Sequence, residues 1–240
     1  MSYNPTMLKI ALINFLATLS QTVAGFGAPL INMPFMIDWL GIHIATPVSS
    51  FVGLITSIIV LFYYREDFSL RSVSNLLIPS ILGVPIGVYA LSALDVGVVQ
   101  IILGILVVGF ALYSLFSPSI PTLKDYRWAY LFGFIAGITG GAFNISGPII
   151  VIYAAFRGWP PGEFRSNLQG YFLVTNISIL IFHWVDGNLT PIFWQASLWA
   201  IPGMLLAVIF GIYLGKWINV KRFRQLILVL LIVSGVRLII

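Results

Sequence analysis

What most constrains this chain is a succession of apolar runs of membrane-crossing length, with their charges confined to the ends. Boundaries drawn at charge, Pro and Gly give eight segments: 7–40, 44–64, 73–91, 96–116, 128–156, 164–184, 191–214 and 223–240. About twenty apolar residues, at a rise of about 1.5 Å each, match a hydrocarbon core about 30 Å thick. All seven acidic residues (Asp38, Glu66, Asp67, Asp95, Asp125, Glu163 and Asp186) fall at segment ends. Charged residues make up 8% of the 240 positions, against about 25% in soluble domains, so a water-soluble globule is excluded. The runs are continuous rather than alternating, which excludes a β-barrel. The prediction is an all-α polytopic membrane protein whose partners include the lipid bilayer. Without cysteine, disulfides, thiolate chemistry and iron–sulfur clusters drop out. The net charge of +5 reads as an orientation signal, so no nucleic-acid partner is expected. The N-terminus lacks a basic region followed by a small-residue cleavage site, so Met7 onward reads as mature protein.

Segments 7–40 and 128–156 differ from the rest because each carries a cluster of helix breakers. These are Gly25-Phe26-Gly27-Ala28-Pro29, and Gly137-Ile138-Thr139-Gly140-Gly141 leading to Ser146-Gly147-Pro148. The positive-inside rule bears on what the breaks do. If both segments dip into the membrane and return, Arg65, Arg71, Lys124, Arg127, Arg157, Arg165, Lys216, Lys221, Arg222 and Arg224 share one face, with Lys9 and Arg237 opposite, a 10 to 2 split. If both cross once, the split is 6 to 6; if only the second is a hairpin, it is 11 to 1. Charge therefore selects a hairpin for 128–156, and internal similarity extends it to 7–40. Loops 65–72, 117–127, 157–165 and 215–224 are then cytoplasmic, in a cytoplasmic (inner) membrane.

The similarity is an internal repeat. Gly87-Val88-Tyr89 stands 124 positions before Gly211-Ile212-Tyr213, and Ala24-Gly25 and Asn32 match Ala136-Gly137 and Asn144 at an offset of 112. The expected repeats are 7–116 and 128–240, joined by a linker at 117–127. Each comprises a Gly/Pro-broken helical hairpin plus three spans. An odd number of crossings per repeat inverts the second relative to the first, the plan of many secondary transporters with midplane sites.

A break at membrane depth must be buried in protein or line a wet cavity, because lipid cannot pair free backbone groups. Pro29 and Pro148 stand where a second half-helix should start, as proline favours the first helical turn. Each such start carries roughly half a positive charge, and two facing one another suit an anion. Close helix packing is the competing role for the glycines. The candidate substrate-binding residues are Gln21, Gly25, Gly27, Pro29, Asn32, Ser49, Ser50, Thr139, Gly140, Gly141, Asn144, Ser146, Gly147, Pro148, Arg165, Gln169 and Asn176. The neutral ones among them donate hydrogen bonds without the cost of a buried counter-charge. Asn14, Thr18 and Gln21, spaced i, i+4, i+7, mark one polar helix face, and Thr175 is polar beside Asn176. Arg165 reads as a cytoplasmic vestibule cation or a topology anchor, and His43 and His183 as interfacial. No catalytic residue, metal or cofactor is expected. Ser146-Gly147, with His183 as base, gives an alternative reading as an intramembrane serine hydrolase.

The two Gly-rich, Pro-terminated breaks, the four-segment halves and the length together resemble the TauE/SafE family of sulfite and organosulfonate exporters, over almost the whole chain. The resemblance implies transport of small sulfur-containing or carboxylated anions. It carries the family's glycine-rich elements onto Gly25, Gly27 and Pro29, and onto Gly137, Gly140, Gly141, Gly147 and Pro148, while Phe26 and Ala28 interrupt the first. The reading is a transporter of small organic or inorganic anions, exporting by alternating access, with a channel-like anion pore as the alternative. The sequence leaves a homo-oligomer open.

Overall fold

The computed structural model describes residues 5–116, 125–214, 217 and 220–239. Most of the expected linker 117–127, and the loop 215–224 apart from Trp217 and the backbone of 220–224, lie outside the described residues. Apart from one short 3-10 turn at Arg65–Asp67, the secondary structure of the described residues consists of α-helices. They are α1 (Pro5–Ala24), α2 (Ala28–Leu40), α3 (Ile42–Tyr63), α4 (Leu70–Ala93), α5 (Val96–Phe116), α6 (Trp128–Phe143), α7 (Gly147–Arg157), α8 (Pro161–Val185), α9 (Pro191–Leu214) and α10 (Val220–Ile239). The protein is an all-α, multi-pass membrane protein: α1, α3, α4, α5, α8 and α9 are each long and apolar enough to cross a bilayer. Leucines, isoleucines and aromatics stay exposed along them, including Phe62, Ile78, Leu82, Leu198 and Tyr213, as a lipid-facing surface requires.

The chain reverses direction at both breaks. Asn32 donates to Asn14 at 3.0 Å, and the Asn14 amide lies 3.5 Å from the Met36 sulfur, so α2 folds back along α1. Phe132 stacks edgewise and tilted on Phe156 and Tyr153, at centroid distances of 5.8 and 5.7 Å, so α7 folds back along α6. Each segment thus contains a break followed by a helix that returns along the first. The arms differ in length, because α1 has 20 residues and α6 has 16.

The position of the second break is corrected. Gly137–Gly141 does not interrupt the helix, since α6 runs on to Phe143. The break lies at 144–146, where Asn144 takes the left-handed conformation (φ 55°) and its N–H bonds back to Gly140 at 2.7 Å. Asn tolerates that conformation better than most residues, which makes it a helix terminator. Gly133, Gly137 and Gly141 instead share one face of α6, turned to α4. A Cβ at any of them would collide with the α4 backbone, at Leu76, Ser80 and Val84 respectively. Small residues spaced by four let two membrane helices touch along their backbones. Gly83 and Gly87 of α4 complete the contact against Phe134 and Ile138.

The repeat offset changes with it. Pro29 and Pro148, each in the first turn of its half-helix, stand 119 positions apart, so Gly25 matches Asn144 rather than Gly137. Asn32, in the body of α2, is not the counterpart of Asn144. The helix packing is consistent with a two-fold exchange of α1–α5 with α6–α10. Helix α6 packs on α4 and α1 on α9; α3 packs on α8, and α5 on α10. Gly87 of α4 touches α6, and Gly211 of α9, its match at offset 124, touches α1 at Thr22. Gly104 and Gly235 meet backbone to backbone where α5 crosses α10.

Candidate functional site

Both breaks open on one cavity among α1, α2, α3, α7 and α8. Its lining includes Gly27, Ala28, Pro29 and Leu30 from the first break, and Asn144, Ile145, Gly147 and Pro148 from the second. Gly27 sits at φ 106°, a conformation that favours glycine, and opens α2. The first amides of α2 and α7 have no acceptor within their own helix, and the two starts bring their positive dipole ends to the same place.

Polar side chains wall the cavity. The Asn144 amide donates to the Ser49 hydroxyl at 3.1 Å, Ser49 to the Asn32 carbonyl oxygen at 3.2 Å, and Asn32 to Asn14 at 3.0 Å. Asn14 closes the chain on the Ile10 carbonyl of its own helix at 2.9 Å. A second cluster centres on Gln169. Its amide nitrogen donates to the Gly25 carbonyl at 2.9 Å, while its oxygen accepts from Ser57 at 3.1 Å and Gln21 at 3.3 Å. The apolar part of the wall is Leu30, Val52, Ile145 and Phe172. About 20 Å³ is free for water centres, room for one or two waters. No charged side chain lines the cavity among the described residues.

Of the expected site residues, Gln21, Gly27, Pro29, Asn32, Ser49, Asn144, Gly147, Pro148 and Asn176 line this cavity. The structure places the others beside it or away from it. Gly25 and Gln169 stand one bond behind the wall. Ser50 turns away and bonds back to the Thr46 carbonyl of its own helix at 2.9 Å, and Thr139 bonds back to Ile135 at 3.2 Å. Gly141 packs on α4, and a Cβ at Gly140 would face Ser146 and Ile179. Ser146 lies near the buried Tyr171 phenol, which meets Ser80 at 2.7 Å.

Arg165 does not line the cavity. Its guanidinium donates to the Val23 carbonyl at 3.2 Å and the Tyr64 hydroxyl at 3.3 Å, capping the carbonyl end of α1. A cation there offsets the negative end of the helix dipole. His183, near the end of α8, is fully buried. Its Nε2 lies 3.3 Å from the Gly141 carbonyl and its Nδ1 3.0 Å from the Asn188 amide. Neither ring nitrogen of His183 is directed at Ser146, so the two do not make a serine–base pair. Thr18 and Thr56, which line the cavity, were not among the expected site residues; for Thr18 the signal was its helical spacing from Asn14 and Gln21.

The family described as "Sulfite exporter TauE/SafE" matches residues 10–238. The chain belongs to this family. A relative from Cupriavidus necator, named "Probable sulfite/organosulfonate exporter TauE", is 25% identical over 201 residues, covering 81% of this chain and 78% of the relative. No solved structure matches. Family membership together with the apolar helices makes the protein a membrane anion transporter; its substrate is a small anion and its solvent the lipid bilayer.

Proposed function

We propose that the protein is a secondary transporter that exports sulfite, a sulfonate such as sulfoacetate, or a related small carboxylate across the cytoplasmic membrane by alternating access. The observation that carries this reading is the convergence of two half-helix starts on one cavity walled by neutral polar side chains. Peptide dipoles and neutral donors stabilise a monoanion without a buried counter-ion. The relative's printed name supports sulfur oxyanions as the class.

Residues 7–116 and 128–240 are then two repeats of opposite orientation, an arrangement the exchange of helix packing supports. The cavity is too small for a sulfonate as it stands, so loading requires the hairpins to separate from α3 and α8. Rocking one repeat against the other supplies that motion. A potential of about 100 mV, inside negative, contributes roughly 2.3 kcal/mol per charge to anion exit. At about 1.4 kcal/mol per tenfold, this supports a gradient of roughly fifty-fold without a coupled ion.

The test is flux in proteoliposomes, comparing sulfite, sulfoacetate, taurine and simple carboxylates. Saturable efflux of one sulfur oxyanion, accelerated by a potential that drives anions outward, is expected. Gly147→Leu, where a Cβ meets nothing closer than 3.7 Å, should insert and fold yet fill the gap between the tips and stop transport. Normal flux in that variant overturns the proposal.

A further inference from the structure

The side chains around the cavity are not equally engaged. Five of the seven polar side chains in its lining make the hydrogen bonds described above or bond to their own helix, as Thr56 does to the Val52 carbonyl at 2.8 Å. Two do not. The Thr18 hydroxyl is buried without a hydrogen-bond partner, and the Asn176 amide bonds to no described residue although Asn176 is only 4% exposed.

Thr18 differs from three other buried helical threonines, and from Thr46, which donates across to Ala142. Thr22, Thr56 and Thr175 each donate to the carbonyl four residues earlier, at 2.8, 2.8 and 3.0 Å. Such back-bonding is the default for a hydroxyl in an apolar helix. The same acceptor position, Asn14, lies in helix before Thr18, yet the Thr18 hydroxyl does not use it. Asn176 is likewise given room. A Cβ at Gly53 of the facing helix would stand 3.0 Å from its amide nitrogen. A buried polar group left unpaired destabilises a fold, so its retention at a cavity wall points to a ligand that pairs it.

We propose that Thr18 of α1 and Asn176 of α8 are the two side chains that hold the transported anion's oxygens. Thr18 donates through its hydroxyl and Asn176 through its amide, each to an oxygen of a sulfonate, sulfite or carboxylate head. This rests on the anion-transporter reading and goes further by assigning the contacts. The helix starts supply an unspecific positive field, and this pair fixes where the oxygens sit. Because the two residues come from α1 and α8, the anion bridges the two proposed repeats.

The experiment measures half-saturating concentrations for sulfite and sulfoacetate in proteoliposomes, together with the melting temperature of the purified protein with and without each anion. Thr18→Val keeps the side chain's shape and removes the hydroxyl. It is expected to raise the half-saturating concentration about tenfold, and to hold or raise the anion-free melting temperature. Thr18→Ser should restore the affinity. Asn176→Leu should weaken binding similarly and abolish the anion-induced rise in melting temperature. If Thr18→Val leaves the half-saturating concentration unchanged while Gly147→Leu blocks flux, the pair is overturned and the transporter reading stands. If the wild-type protein moves neither anion and is not stabilised by either, both fall together.

Discussion

The Arg165 guanidinium donates to the carbonyl of Val23 at 3.2 Å, and the Thr46 hydroxyl makes the equivalent bond to Ala142 at 3.0 Å. Thr46 precedes Arg165 by 119 positions, and Val23 precedes Ala142 by the same number. In each case the span after one hairpin caps the carbonyl end that precedes the break of the other. A single shift relates the donors, the acceptors and the two prolines, which ties the breaks to the helices that brace them.

The two caps differ in charge, and that difference is measurable. Arg165→Met removes a charge-assisted bond and leaves the end of α1 bare, so it should cost about 1.5–3 kcal/mol. Thr46→Val removes a neutral bond and should cost about 1 kcal/mol. Unfolding of the purified variants would rank them, with Arg165→Met also slowing anion flux because Gly25 and the first break lie beside it. Equal losses would mean that the charge contributes nothing at the helix end.

The glycines divide into two kinds with opposite tolerance. Gly137→Ala forces its methyl into the α4 backbone at Ser80, and Gly141→Ala does so at Val84. Backbone cannot yield as a side-chain tip does, so both variants should fail to accumulate in the membrane. Gly27→Ala meets no atom within 4 Å but keeps φ at 106°, a strain of about 1–2 kcal/mol. That variant should accumulate, with its melting temperature lowered by a few degrees. Normal accumulation of Gly137→Ala, judged by membrane yield, would contradict the close α4–α6 contact.

The sequence made the helices legible because apolar length and charge placement are local signals, and boundaries such as those at Val96, Phe116, Trp128 and Pro191 could be read directly. The first break was legible too, since Gly25 and Gly27 at positive φ, followed by Pro29, have few other uses. The second was read too early because glycine marks both broken and tightly packed helices. Gly137 and Gly141 serve packing, while the terminator is Asn144. Polar residues stranded among apolar ones identified Asn32, Ser49, Asn144 and Asn176 as cavity residues. Their mutual order was not legible. The bond from Asn144 to Ser49 spans 95 positions and that from Gln169 to Gly25 spans 144, and no periodicity encodes such pairings. The cap that Arg165 makes was not legible for the same reason, because its partner Val23 lies 142 positions away.

Gln169 is the buried group on which the first break depends most. Gln169→Leu would strand the Gly25 carbonyl and remove the acceptor used by Ser57 and Gln21. Each buried group left unpaired costs about 1–3 kcal/mol, so a loss of several kcal/mol and of transport is expected. Gln169→Glu keeps an acceptor for Ser57 and Gln21 but cannot donate to Gly25, and it places a negative charge behind the proposed anion site. It should impair flux more than folding. Transport by Gln169→Glu at the wild-type rate would show that the field behind the cavity does not govern the anion.

The absence of cysteine permits a direct test of orientation with single cysteines and a membrane-impermeant maleimide on intact cells. Asp125 and Pro160 are exposed on either side of the α6–α7 hairpin. If that segment dips and returns, Asp125→Cys and Pro160→Cys are both cytoplasmic and both protected, as is Glu66→Cys. Asp95→Cys, between α4 and α5, should label from outside. Lys9→Cys decides the first hairpin, because it labels from outside when α1 and α2 enter and leave on the outer face. The ion pair between Asp38 and Arg237, at 2.6 Å, requires those two ends to share a face whichever way the first segment runs. Labelling of Pro160→Cys from outside, with Asp125→Cys protected, would turn the second hairpin into a full crossing and remove the inversion on which alternating access by repeat rocking relies.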